Sequence, residues 1–428
     1  MIGMGGICTE NRVSFGPETL NWATLCARAE EALGMADQFT RRRVVAVVEG
    51  VESALAALVY GLVHNLDWGV IEAARLSPEV EARFAQSGVS LVDFTTRYEP
   101  RPAATAAPKD GQGDHVPGRI TVLTSGTTGL LKLIAHSKAT LNTFDRVRDL
   151  PPNRWFVPYQ IGSYAWYQMA MLGLLVAGQD LVACDAGDLA QGFEAALSLG
   201  QVTAISSTPT FWRHTLLSVD ESLLVSAPIR SISLGGEIVD QAILDRLAGL
   251  YPDAAIRHIY ASSEAGAAIV VADGRAGFDA SLLKRDSGAV TVKIEEGRLF
   301  IRSAYGNRDA GGGWIDTGDL VEERDGRVYF CGRADNSMIN IGGQKAFSAD
   351  IEAHLLSHPD VVWAKVTARR APLVGSLPVA SVVLRQPQDT EAAEIMLTRH
   401  CDGRLADYAI PRIWSFLEAV PVRASLKS

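Results

Sequence analysis

The sequence predicts an α/β fold that leads into a β-rich section and then into a separate C-terminal unit, and three observations carry that reading. Between Tyr164 and Ile259, helix-spaced segments alternate with short β-branched runs, the pattern that builds a parallel sheet with helices on its faces. From Ser287 onward the apolar period shifts to two. Past Gly332-Arg333 the pattern changes again, which sets a domain boundary at Ala334-Asp335 and divides residues 1–334 from residues 335–428.

Taken in order, residues 18 to 34 have the spacing of an amphipathic helix, and the RVVAVVE run from Arg43 to Glu49 reads as a buried strand. A helix from about Glu52 to Asn65 follows it. Gly3, Gly5 and Gly6 have no strand before them, so they read as a chain terminus rather than a dinucleotide loop. Glu99 to Gly118 is rich in Pro, Ala and Gly and reads as a connecting segment. It delivers the chain to ITVLTSGTTGLLKLI, Ile120 to Ile134, a strand, a loop and a second strand. Tyr164 to Ala177 then reads as a helix and Asp180 to Cys184 as a strand, and Phe193 to Leu199 with Val202 to Ser206 repeats the pairing. Ile229 to Leu234 and Ala255 to Ile259 are strands that run into small-residue loops, where ligands sit in such sheets. Those loops are Gly235-Gly236-Glu237 and Tyr260-Ala261-Ser262-Ser263-Glu264-Ala265-Gly266. Period-two runs follow at Val290 to Ile294, Arg298 to Arg302 and Arg327 to Cys331, punctuated by Asp316-Thr317-Gly318-Asp319. The C-terminal unit holds a glycine loop at Ile341-Gly342-Gly343, a helix near Ala349 to Leu356 and strands at Val361 to Thr367 and Pro378 to Leu384. A helix around Glu391 to Arg404 and an extended tail ending at Lys427-Ser428 complete it, and no fixed-period repeat is present.

With 428 residues, 47% apolar and 21% charged, the composition is that of an ordinary soluble chain with room for two or more domains. A net charge of -9 argues against nucleic acid as a partner, and the cluster Arg41-Arg42-Arg43 is too short to reverse that. The five cysteines are scattered, with no CxxC pair, which fits a reducing compartment. The N-terminus does not resemble a signal peptide, and the longest apolar run, Met169 to Ala177, is far below a membrane span, so a cytoplasmic protein without membrane contact is expected.

The loop Thr124-Ser125-Gly126-Thr127-Thr128-Gly129 offers four hydroxyls and two glycines that let backbone N–H groups crowd an anion, and Lys132 adds a positive charge nearby. It is not the Walker pattern, because Leu130 and Leu131 separate the lysine from the second glycine. By itself the loop reads either as a phosphate grip or as a polar surface turn, and only distant residues decide between them.

Those distant residues are GGE, YASSE, DTGD, GRAD with the following INIGGQK, and a terminal lysine. In this order and spacing the set resembles the adenylate-forming superfamily, which includes acyl-CoA synthetases, adenylation domains of peptide synthetases and luciferases. The likeness covers nearly the whole chain. It implies a large N-terminal domain of doubly wound sheets plus a distorted β-barrel, and a small mobile C-terminal α+β domain that turns about Asp335.

The resemblance also implies a chemistry. A carboxylic acid would be activated by ATP with Mg²⁺, as an acyl-adenylate, and then joined to a thiol, most simply that of CoA. The loop hydroxyls, its amides and Lys132 would hold the departing pyrophosphate, and Glu264 would ligate Mg²⁺. Gly235, Gly236, Glu237 and Tyr260 would receive adenine, and Asp319 with Arg333 the ribose. Lys427 would neutralise charge growing on the α-phosphate. Gly342 and Gly343 would leave room for a phosphopantetheine arm. Two positions depart from the family pattern: Leu426 stands where glycine is usual and Asn340 where lysine is common.

Pro158 to Ser163 falls where amino-acid-activating relatives present an aspartate to the substrate ammonium, and no aspartate is there, which implies an acid without a free α-amine. Tyr159, Gln160, Ser163 and Tyr164 are read as acyl-pocket residues, and Trp166, Phe211 and Trp212 as favouring an aromatic or apolar acid. His136 reads either as facing that pocket or as a satisfied core histidine. Two other outcomes stay open: transfer to an acyl carrier protein thiol or an amine, and a non-catalytic nucleotide-binding homologue.

Overall fold

A computed structural model describes residues 2–3, 6–34, 36–94, 115–125, 131–146, 150–185, 189–285, 287–307, 313–334, 338–341, 344–371 and 375–421. Strand β1 (Arg12–Phe15) turns back on itself as β2 (Glu18–Asn21), where a helix was expected to begin. The helix starts later because the Asn21 side chain accepts the Thr24 N–H and so caps α1 (Trp22–Leu33). Strand β3 (Arg43–Val48) is buried on both faces, with Val44, Ala46 and Val48 in one core and Val45 and Val47 in another. Helix α2 (Val51–Val63), strand β4 (Asp67–Glu72), helix α3 (Pro78–Gln86) and strand β5 (Val89–Phe94) follow. Strands β6 (Arg119–Ser125) and β7 (Leu131–Ser137) flank the hydroxyl-rich loop, which itself lies outside the described residues. Together they make a sheet of order β5-β3-β4-β6-β7, parallel except for the last pair.

The alternation after residue 150 produces β8 (Asn153–Phe156), α4 (Tyr164–Leu175), β9 (Gln179–Ala183), α5 (Leu189–Ser198) and β10 (Ala204–Ser207). It continues with α6 (Pro209–Ser218), β11 (Ser231–Gly235), α7 (Gln241–Leu250), β12 (Ala255–Ser262) and β13 (Gly266–Val271). The second sheet has order β13-β12-β11-β10-β8-β9-β1-β2, parallel from β12 to β1 and antiparallel at both edges. One core joins the two sheets through α1, α2 and α4, and a second forms where α5, α6 and α7 cover the far face of the second sheet.

An antiparallel sheet is built from β14 (Val290–Glu295), β15 (Arg298–Ser303), β16 (Ile315–Arg324), β17 (Arg327–Arg333) and the short strand Phe278–Asp279. The Asp316–Asp319 stretch, read as punctuation, lies inside β16. It interrupts the strand locally, with Gly318 at φ +73° and a register shift between Leu320 and Val321. The last sheet holds β18 (Met338–Ile341) and β19 (Gln344–Phe347), then β20 (Val361–Ala371), β21 (Gly375–Leu384) and β22 (Ile413–Leu417). Helices α8 (Ser348–Leu356) and α9 (Thr390–Cys401) pack on it around Ile351, Leu355, Val366, Val382 and Leu397, a core of its own.

Candidate active site

A cleft of about 830 Å³ opens where the loops after β11 and β12 meet β16, β17 and helix α8. Its lining brings together Thr124, Lys132, Gly236, Glu237, Tyr260, Glu264, Asp319 and Arg333, which come from five separate stretches of sequence. Thr124 and Lys132 are partners across the β6–β7 ladder, so the hydroxyl and the ammonium group stand at the two ends of the hydroxyl-rich loop. The Tyr260 hydroxyl donates to Asp319, and Arg333 approaches the other carboxylate oxygen at 3.5 Å. Burial and the adjacent Asp319 carboxylate push the Tyr260 phenol upward, so it stays protonated and acts as the donor. Phe330 backs the Tyr260 ring in a stacked pair, 4.8 Å between centroids. The Glu237 carboxylate accepts the Thr210 N–H at 2.9 Å, in the first turn of α6, which anchors the loop bearing Gly236.

The expected acyl-pocket residues do not line this cleft. His136 is fully buried: Nε2 donates to the Ser263 carbonyl at 2.7 Å and Nδ1 faces the Thr140 hydroxyl at 3.0 Å. Burial pushes its imidazole down to about 4. Of the two readings, the core histidine is the one found. Tyr164 is also buried, its hydroxyl accepting the Ala267 N–H at 3.1 Å. Tyr159 pairs its hydroxyl with Ser206 at 3.1 Å, and burial pushes that phenol up to about 12. Ser163 caps α4 by accepting the Trp166 N–H, and the Gln160 carbonyl accepts the Ser163 N–H, so both belong to the turn before the helix. Trp166, Phe211 and Trp212 pack in the cores rather than lining the cleft. Gly235 closes β11, and the neighbouring Gly236 is the glycine that reaches the cleft. Gly126, Thr127, Thr128, Gly129, Asp335, Gly342, Gly343 and Lys427 lie outside the described residues, and β6 ends at Ser125.

Charged residues that no motif indicated also line the cleft, among them Arg213, Asp240, Glu352 and Lys365. Arg213 pairs with Asp240, both nearly buried. Across from them, the Glu352 carboxylate accepts the Val366 N–H at 2.8 Å and meets Lys365 at 3.6 Å, while burial pushes its pKa up against the pull of that lysine. Their only local signal was Asp240, whose side chain caps α7. Among the described residues, Glu322, Cys331 and Asp350 hold metal-type ligand atoms within 4.8 Å of one another. Arg324 already pairs with Glu322 at 3.0 Å and Asp350 at 3.2 Å, which balances that charge.

A family model described as "AMP-binding enzyme" matches residues 36–304, and one described as "AMP-binding enzyme C-terminal domain" matches residues 350–427. The chain belongs to the AMP-binding enzyme family. It is similar to the 2-succinylbenzoate–CoA ligase of Bacillus licheniformis, 33% identical over 147 residues, which are 33% of this chain and 29% of that protein. The 2-succinylbenzoate–CoA ligase of Bacillus subtilis is 34% identical over 157 residues, 34% of this chain and 31% of that protein. The matched stretch thus spans under a third of either relative's length. Among solved structures, the anthranilate CoA ligase AuaEII in complex with anthranoyl-AMP superposes with a TM-score of 0.72 at 16% identity, covering 98% of this chain and 93% of that one. The o-succinylbenzoate CoA synthetase MenE from Bacillus subtilis, in complex with OSB-AMP, gives a TM-score of 0.69 at 19% identity, covering 99% and 94%. At these identities the likeness is one of fold, and the α/β architecture with a small C-terminal unit is that of AMP-binding enzymes.

Proposed function

We propose that this AMP-binding enzyme activates a small aryl carboxylic acid with ATP, forming an acyl-adenylate and pyrophosphate, and then passes the acyl group to the thiol of CoA. The observation that carries this reading is the meeting of Thr124, Lys132 and Glu264 with Tyr260, Asp319 and Gly236 in one cleft. One set suits phosphates and the other a nucleoside, so a single ATP accounts for both. The curated relatives are named for an aryl acid, 2-succinylbenzoate, and the missing aspartate at residues 158–163 argues against an amino acid.

In this reading Lys132 attracts the phosphates. Asp319 offers its carboxylate to the ribose hydroxyls, with Tyr260 donating to one oxygen and Arg333 approaching the other. Adenine lies along the Tyr260 ring on the side away from Phe330, beside the Gly236 backbone. The Glu264 carboxylate has no partner among the described residues. With the Thr124 hydroxyl and the phosphate oxygens it makes an all-oxygen donor set, which fits Mg²⁺. When bound, Mg²⁺ would neutralise phosphate charge. Lys427 supplies charge to the adenylation step, Asp335 is the hinge between residues 1–334 and 335–428, and Gly342-Gly343 admits the acceptor's arm.

Pyrophosphate exchange measured over a panel of aryl, fatty and amino acids tests this. Exchange with an aryl acid, and AMP release that depends on CoA, is the expected result. Release that depends instead on a loaded carrier protein or an amine would reassign the acceptor. Tight ATP binding with no exchange across the panel would leave a non-catalytic nucleotide-binding homologue.

A further inference from the structure

We infer that His136 and Tyr164 form a clamp that fixes the turn bearing Glu264 against the strand bearing Lys132, so both are positioning residues for the phosphate end of the cleft. The inference rests on the proposed role of Glu264 as the metal-facing carboxylate. Alternation along β7 puts Lys132, Ile134 and His136 on one face; Lys132 reaches the cleft and His136 is wholly buried. A carbonyl can only accept, so the 2.7 Å contact to Ser263 places the imidazole proton on Nε2. Nδ1 then accepts from the Thr140 hydroxyl, just beyond the end of the same strand. Tyr164, the first residue of α4, takes the Ala267 N–H, and its ring lies 5.3 Å from that of His136.

These two residues therefore hold both ends of the five-residue stretch from Ser263 to Ala267, which carries the chain from β12 into the start of β13. Inside it the backbone is held as well: Asn307 N–H donates to the Glu264 carbonyl at 2.9 Å and Ala265 N–H to Ser262 Oγ at 3.0 Å. Gly266 sits at φ +74°, where a side chain would meet the Tyr305 carbonyl at 2.5 Å. An ordinary core histidine needs partners of any kind. Here one ring links the strand of the phosphate-facing cation to the turn of the metal-facing carboxylate, so the separation of those two charges is set before any ligand arrives.

The test uses three variants of the full chain and two readouts, hydrogen exchange at the Ala265 and Ala267 amides and the thermal stabilisation produced by ATP over a Mg²⁺ series. Tyr164→Phe removes the acceptor of the Ala267 N–H, and His136→Phe removes both ring nitrogens, each variant keeping an aromatic ring. Each should speed exchange in the turn and raise the Mg²⁺ concentration for half-maximal effect about tenfold or more, the usual cost of losing a group that orients a metal ligand. Stabilisation by ATP alone should stay within about twofold of wild type, because the nucleoside contacts are untouched. His136→Gln, which can still donate to Ser263, should recover most of the Mg²⁺ response. Should His136→Phe fail to fold, Tyr164→Phe and His136→Gln carry the comparison. Folded variants that match wild type in Mg²⁺ response, or a Gln variant as impaired as Phe, would overturn the clamp alone. A wild-type response indifferent to Mg²⁺ would overturn the metal role of Glu264 and the clamp's purpose with it.

Discussion

Acidification from about pH 7.5 to about pH 4.5 should destabilise the wild-type protein by roughly 2.5 kcal/mol more than it destabilises His136→Gln. Burial holds the His136 imidazole at about 4 against its ordinary 6.5. Between those values the unfolded chain binds a proton that the folded chain refuses, so stability rises with pH there and falls on acidification. The contribution is complete above about pH 6.5 and lost in full below about pH 4, where the gap amounts to roughly 3.4 kcal/mol. His136 is fully buried, so solvent does little to soften this penalty. Every other titrating group is common to both chains and cancels in the comparison, and glutamine keeps a donor for the Ser263 carbonyl without titrating. Urea unfolding of the two proteins at both pH values gives the number directly. Equal losses in the two proteins would show that His136 is not held neutral by its surroundings, and the tautomer assigned to the clamp would fall with it.

Asp319→Asn should weaken ATP binding about tenfold or more in calorimetry, since an amide offers one acceptor oxygen where the carboxylate offers two charged ones. Gly266→Ala should lower stability by roughly 1–3 kcal/mol in thermal unfolding, because the residue sits at φ +74° and the added methyl would meet the Tyr305 carbonyl. Arg327→Met should cost about 1–3 kcal/mol in urea unfolding, from the carbonyl acceptors it leaves unpaired. That buried guanidinium serves Asp273 and the carbonyls of Arg275, Ala276 and Gly277 at once. Lys427→Ala should abolish pyrophosphate exchange yet spare transfer from a preformed acyl-adenylate; equal loss in both assays would refute its assignment to the first step.

The cleft residues that could be read from the chain share one property: each lies in a cluster of small or polar residues just past a β-branched run, as Gly236 and Glu237 do after β11. Arg213, Asp240, Glu352 and Lys365 have no such cluster, and they meet only because α6, the loop before α7, α8 and β20 converge. The aromatic residues failed for a different reason. Aromatic residue type alone says nothing of what Phe211 and Trp212 meet, and α6 turns both into the core of the second sheet. Strand β1 was missed because four residues carry almost no pattern, and its partner β9 lies far along the chain. His136 had two readings in the sequence, and its contact with Ser263, 127 residues away, is what separates them.

Tyr260 and Arg333, both partners of Asp319, differ in how firmly they are held, and that difference bears on the proposed hinge. Tyr260 is fixed by its strand and by the stack on Phe330, and its hydroxyl is half-buried with the carboxylate. Arg333 closes β17 with its side chain 48% exposed and reaches Asp319 at only 3.5 Å, a pair that solvent screens. Arg333 is also two residues before Asp335. A turn of residues 335–428 about that point would move Arg333 more easily than Tyr260, so Asp319 would keep its phenolic donor through both half-reactions while its ion pair is made and broken. The ribose contact would then survive the domain motion, which is what a site must do if one acyl-adenylate is to be built in the first arrangement and consumed in the second.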